Sequence, residues 1–192
     1  LILLSELEHF CARYPHVRIR LLNYSAPQAV KALENNIIDF AIVSTPVLVH
    51  KHMHQEKLIS YDEILLGGTK YKQFAQQVHY LEDISEMPLI GLCEGSSTHT
   101  HYSRFFMEHD LPFEPDMEAA MTDQVLPMIT HNLGIGFYPK SLALEAIEKE
   151  LVFPIELTEP LPNRDVVVIT NNHTPINSAA RRFLEFLLEN RN

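Results

Sequence analysis

Leu1, Leu3, Leu4, Leu7, Phe10, Cys11 and Tyr14 recur at helical spacing, and Pro15 then disfavours helix at the residue before it. That pattern predicts a first helix. From Val17 to Leu22 apolar residues alternate with Arg18 and Arg20, the period of a strand with one solvated face. Ser25 then stands three residues before Gln28, the arrangement of a reciprocal cap, with Pro27 tolerated in the first turn of a helix running to about Asn35. The apolar run Phe40 to Val43 predicts a strand buried on both faces, ending at Ser44, Thr45 and Pro46.

A second strand is predicted from Glu63 to Leu66, and the adjacent Gly67 and Gly68 mark a candidate hinge before a polar stretch with helical potential up to about His79. Pro88 to Cys93, then Glu94-Gly95-Ser96-Ser97-Thr98, read as strand, glycine turn and helix, the helix passing through Phe105, Phe106 and Met107. Another strand-to-helix passage lies near Met117 to Thr122, with Thr122 a candidate cap for a helix reaching His131. Asn132 to Pro139 give a turn, a strand and a stop before a helix over 141–150. Val152 to Leu157 and Asp165 to Thr170 read as further strands, the latter with the β-branched run of a central one. Thr174 with Pro175 opens the last amphipathic helix, through Leu188. Strands alternating with helices predict an α/β protein with mixed, mostly parallel sheets and crossover helices.

Charge narrows the function. Fifteen Lys and Arg against 25 Asp and Glu leave a net charge of −10, the wrong sign for a surface that neutralises phosphates along a duplex. No apolar segment approaches the roughly 20 residues needed to span a bilayer, and no basic leader precedes a cleavable apolar run, so a cytoplasmic protein without membrane attachment is expected. Cys11 and Cys93 show neither CxxC spacing nor a disulfide framework, which fits a reducing setting.

Five segments carry a family resemblance when read in order. They are Phe10-Cys-Ala-Arg-Tyr-Pro-His-Val17; Ala32-Leu33-Glu34 with Asp39-Phe-Ala-Ile42; Leu81-Glu-Asp-Ile84 with Pro88-Leu-Ile90; Leu133-Gly-Ile-Gly-Phe-Tyr-Pro139; and Ala180-Arg-Arg-Phe183 with Phe186-Leu187. Together the set resembles the effector-binding domain of LysR-type transcriptional regulators, which has a type 2 periplasmic-binding-protein fold. The resemblance implies two Rossmann-like subdomains joined by a two-strand hinge: residues 1–66 with 165–192, and residues 67–164. It also implies that an N-terminal DNA-binding helix-turn-helix domain and the family's first strand are absent from this chain. His131-Asn132 departs from the small residues usual before the Gly-x-Gly turn, which bears on the lip of the pocket.

In such a fold a small ligand is expected at helix starts, where unpaired N–H groups and short hydroxyls hold anions. Ser25, Ser96, Ser97, Thr98 and Thr122 occupy such positions, and Thr45, Tyr138 and Pro139 stand at strand ends facing the family's interlobe cleft. Simple capping is the competing explanation for each hydroxyl. The segment from Gly91 to Ser97 lacks the spacing and the Lys of a phosphate loop. His50, His52 and His54 alternate as ligands on one strand face would, and His99 with His101 repeat the spacing, but no further ligand completes either set, so exposed polar residues are expected. No cofactor, metal or catalytic residue is expected. The reading is therefore a non-enzymatic sensor that binds a polar or anionic effector, forms a homodimer or tetramer, and reaches DNA only through the absent domain. A free-standing solute-binding protein and a small α/β enzyme are the alternatives.

Overall fold

The computed structural model describes residues 2–189. The chain divides into two compact units, one from residues up to Ile59 together with those from Asp165 onward, the other from Ser60 to Arg164.

The first unit is built on a three-stranded sheet. Helices α1 (Ile2–Arg13) and α2 (Ala26–Glu34) precede strands β1 (Ala41–Ser44) and β2 (Met53–Tyr61), and β9 (Arg164–Asn171) and α7 (Ser178–Glu189) close the chain. The order is β1-β9-β2, with β1 antiparallel to β9 and Val43 opposite Val167. Alternation along β1 sends Ala41 and Val43 to one face, where Ala29, Val30 and Leu33 of α2 cover them. Ile42 goes to the other face, against Phe10 of α1 and Phe183 of α7, whose rings meet edge to face at 4.9 Å. Thus α2 lies on one face of the sheet, and α1 and α7 on the other.

Two expectations for this unit are corrected. Val17 to Leu22 forms no strand: the segment belongs to no ladder, and Ile19, Leu21 and Leu22 are exposed. The last helix begins at Ser178, not beside Thr174, and the side-chain oxygen of Asn177 accepts from the N–H of Ala180. The hydroxyl of Thr174 donates to Oδ1 of Asn36 at 2.7 Å, four residues ahead of the helix.

The second unit holds six strands in the order β4-β8-β3-β7-β5-β6: β3 (Glu63–Gly68), β4 (Val78–His79), β5 (Leu89–Leu92), β6 (Met117–Ala119), β7 (Ile135–Pro139) and β8 (Val152–Leu157). The sheet is mixed, because β3 runs antiparallel to β7 and β8, whereas β5 is parallel to β6 and β7. Helices α3 (Leu81–Ser85) and α4 (Ser97–Met107) contribute Leu81, Ile84, Tyr102, Phe105 and Phe106 to one core. Val125 and Ile129 of α5 (Thr122–Thr130), with Ala143 and Ala146 of α6 (Lys140–Glu148), fill another.

Gly67 and Gly68 are the last residues of β3, paired with β7 and β8, and the passage between units falls earlier, at Ile59 and Ser60. The glycines serve close approach. A Cβ at Gly68 would stand 2.3 Å from the Ile129 carbonyl and 2.5 Å from Oδ1 of Asn132. Asn132, at φ 59°, uses that oxygen to accept from the Lys70 N–H at 2.7 Å. Its amide therefore holds the turn after β3. The polar stretch beyond is two short 3-10 turns, Thr69–Tyr71 and Phe74–Gln76, rather than a helix. Gly68→Ala is expected to cost about 1–3 kcal/mol through overpacking against backbone that cannot yield, measured as a lower urea midpoint at unchanged slope.

Candidate functional site

The start of α4 is the most heavily functionalised place in the second unit. Strand β5 is buried along its whole length, and the chain leaves it through Gly95, whose φ of 82° suits a residue without a side chain. Ser96 caps the helix, its hydroxyl accepting from the His99 N–H at 3.1 Å. Thr98 accepts from Nη1 of Arg164 at 3.0 Å. Of the three hydroxyls, Ser96 accepts from the cap N–H and Thr98 from the guanidinium, and each keeps its O–H as a donor. Ser97, half-buried between them, has no hydrogen-bond partner among the described residues. The helix dipole adds a positive potential at this end, worth about 0.3–1 kcal/mol to a nearby anion.

Behind the helix start lies a buried ionic cluster. Arg164 is only 2% exposed, and its Nη1 lies 3.2 Å from Oε1 of Glu63, itself buried at the start of β3. The Tyr102 hydroxyl donates to the other Glu63 oxygen. Burial pushes the ionisation of Tyr102 well above the usual phenol range, and the Glu63 charge adds to the effect. Arg164 also stands 5.8 Å over the Tyr61 ring. One turn along α4 from Ser97, His101 has its pKa pushed down to about 4, first by burial and then by the Arg164 charge, while a hydrogen bond to the Pro162 carbonyl opposes the shift. Its ring is neutral at pH 7. The buried Nε2 of His101 has no partner among the described residues.

Other residues singled out from sequence are placed elsewhere. Thr122 is the first residue of α5, not its cap; Met121 holds the cap position, and Oε1 of Gln124 accepts from the N–H groups of Ala120 and Met121. Tyr138 is buried in the core that holds α5 and α6, and burial, with Asp123 nearby, raises its pKa. Pro139 is buried at the end of β7, opposite Glu63 in register. In the first unit the Thr45 hydroxyl accepts from the Asp165 N–H at 3.0 Å, and Lys57 pairs with Asp165 at 2.8 Å. Ser25 donates its backbone N–H to Oε1 of Gln28 at 2.9 Å, an arm of the capping box that opens α2.

Of the histidines expected to be exposed, His50 and His54 are. His99 and His101 lie on a helix and are half-buried rather than exposed. His50 and His52 precede β2 instead of lying on it, and the His52 ring stacks on His173 at 4.6 Å. Among the described residues no group of three His, Cys, Asp or Glu is arranged to hold a metal. Sequence reasoning missed Glu63, Tyr102 and Arg164 as site residues. The available signals were an acid at the head of the apolar run Ile64-Leu65-Leu66 and a base at the head of Val166-Val167-Val168.

Residues 2–192 match the family described as the LysR substrate binding domain. The chain belongs to that family. Among solved structures, the LysR domain here is similar to the Synechocystis PCC6803 CcmR regulatory domain in complex with 2-PG, with a TM-score of 0.87 and 15% identity, covering 100% of this chain and 91% of that one. It is also similar to the effector binding domain of QuiR in complex with shikimate, with a TM-score of 0.83 and 16% identity over 98% of this chain and 90% of that one. Its relatives include the HTH-type transcriptional regulator GltR of Bacillus subtilis (strain 168), 22% identical over 144 residues, which are 75% of this chain and 47% of that protein. YofA of Bacillus velezensis is 20% identical over 93% of this chain and 59% of that regulator. The LysR domain thus spans about half the length of these relatives.

Two outcomes follow from the ionic cluster of this LysR domain. Glu63→Ala strands a buried guanidinium and is expected to cost about 3–5 kcal/mol, read by chemical denaturation. His101 carries a folded-state pKa of about 4 against 6.5 in the unfolded chain, so between those values only the unfolded state takes the proton. Stability from this group is full above pH 6.5 and is lost as pH falls toward 4. Thermal melts across that window should show a shallower acid slope for His101→Asn than for the parent.

Proposed function

We propose that this chain is the effector-sensing domain of a LysR-type transcriptional regulator, and that it binds a small polar or anionic metabolite at the start of α4. The observation that carries the reading is the set of hydroxyls at this helix N-terminus: Ser97 has no partner among the described residues, and Ser96 and Thr98, which only accept, from His99 and Arg164, keep their O–H donors. Capping alone needs one of the three. An effector held there selects among conformations of the domain, and the shift is bounded by its differential affinity for them.

DNA contact belongs to a separate helix-turn-helix domain in the full-length protein. The net charge of −10 supports this division, as do relatives that are themselves HTH-type regulators. The same relatives disfavour a free-standing solute-binding protein. The domain performs no chemistry of its own and works as a homodimer or tetramer, to which the outward Leu4 of α1, 58% exposed, lends an apolar contact. Among the described residues no helix is long and apolar enough to cross a membrane.

The neighbours' ligands, 2-PG and shikimate, supply the first probes. For whichever binds, Ser97→Ala is expected to weaken calorimetric affinity at least about tenfold, since a hydrogen bond to a charged group is worth about 1.5–3 kcal/mol. The melting temperature should hold, because Ser96 remains as the cap. Unchanged affinity would move the site away from α4.

A further inference from the structure

Two side chains on one face of α4 meet the two halves of the buried ion pair. Thr98 and Tyr102 stand four residues apart, about one turn of the helix. Thr98 accepts from Nη1 of Arg164 at 3.0 Å, and Tyr102 donates to Glu63, whose other oxygen lies 3.2 Å from the same Nη1. The side chains of both ions are only 2% exposed. The helix therefore touches the cation one turn nearer its start than the anion. We propose that Arg164 is a positioning residue for the site at the start of α4: without touching the effector, it holds the Thr98 hydroxyl as a donor to it and sets a positive field there. The inference rests on the effector reading of that site and adds what makes the site select an anion.

The hydrogen bond from Arg164 defines what Thr98 can do. A hydroxyl has one hydrogen to give, and a guanidinium offers donors only. With Arg164 donating to Oγ1, the Thr98 hydrogen must point elsewhere, and no acceptor for it lies among the described residues. Without the guanidinium the same hydroxyl could turn either to give or to accept, and would not tell a carboxylate from a neutral amide. An oxyanion oxygen that accepted from Thr98 would lie about 2.7 Å beyond Oγ1, within about 6 Å of the guanidinium. The anion is thus met by a fixed donor with a positive charge directly behind it.

His101 supports the second half of the proposal. It lies one turn along α4 from Ser97, and its pKa is lowered to about 4, first by burial and then by the Arg164 charge. The guanidinium acts on this ring as a positive charge although Glu63 stands beside it, so its influence reaches the first turns of α4 beyond the pairing. A field that discourages a proton on His101 encourages an anion at Ser97 and Thr98. The helix dipole has the same sign at this end.

The combined replacement Arg164→Met, Glu63→Leu and Tyr102→Phe tests the field without any effector. Exchanging a buried ion pair for apolar side chains of similar volume is often neutral for stability, and the third change leaves no phenol hydroxyl unmet. Proton NMR should find His101 titrating near pH 4 in the parent and at a higher pH in the variant. A midpoint that stays or falls would overturn the inference. Thr98→Val, which leaves the ion pair in place, reads the donor. With 2-PG and shikimate as calorimetric probes, it should weaken whichever binds at least about tenfold, and Thr98→Ser should keep the parent affinity. A loss in Ser97→Ala with none in Thr98→Val would sink this inference and leave the α4 site standing. No loss in either would sink both.

Discussion

The second unit depends on keeping one buried positive charge neutral. Arg164 lies among aromatic and aliphatic side chains where an unpaired guanidinium would be costly, and Glu63 meets it from a residue 101 positions earlier. That pairing fixes the head of β3 against the last residue of the unit. It also determines how α4 begins, because Thr98 takes the same guanidinium nitrogen and Tyr102, one turn on, fills the remaining oxygen of Glu63. Three elements far apart in sequence are thereby held at one point. The pair is better understood as setting position than as supplying net stability, since buried ion pairs often do little more than offset their own desolvation.

The arrangement separates three hydroxyls that look equivalent in sequence. Ser96 accepts from the helix, Thr98 accepts from the ionic cluster, and Ser97 has no partner among the described residues. A neutral His101 on the same helix adds a polar atom that does not compete with an anion as a second carboxylate would. Selectivity at such a place comes from which groups the protein has already satisfied.

Sequence pattern gave access to elements whose partners are local or whose faces are fully covered. The helix after Ser25 and the strands near Ala41, Leu89 and Ile135 were legible because their apolar periodicity reports burial directly. Val17 to Leu22 has the periodicity of a strand, yet strand formation requires a neighbour that periodicity cannot supply. Gly67 and Gly68 were only half legible, because a glycine pair marks either freedom or crowding, and the crowding by Tyr71, Ile129 and Asn132 comes from outside the local sequence. The α4 hydroxyls were legible from the strand, glycine turn and helix order. Arg164 was not, because its role exists only through Glu63, Thr98 and Tyr102 across the fold.

Gly68 and Asn132 share a single volume. The amide oxygen of Asn132 stands where a methyl group on residue 68 would be, and from there it reaches the Lys70 N–H and closes the turn that leads out of β3. The unoccupied side chain of one residue is thus the binding site of another, within the same molecule. Neither position can be judged alone: a larger residue at 68 evicts the amide that organises residues 69 and 70, and a smaller residue at 132 leaves Gly68 facing a void with the Lys70 donor unclaimed. The Ile129 carbonyl behind them bars a simple exchange of roles. The two positions form one structural unit, written in two places along the chain.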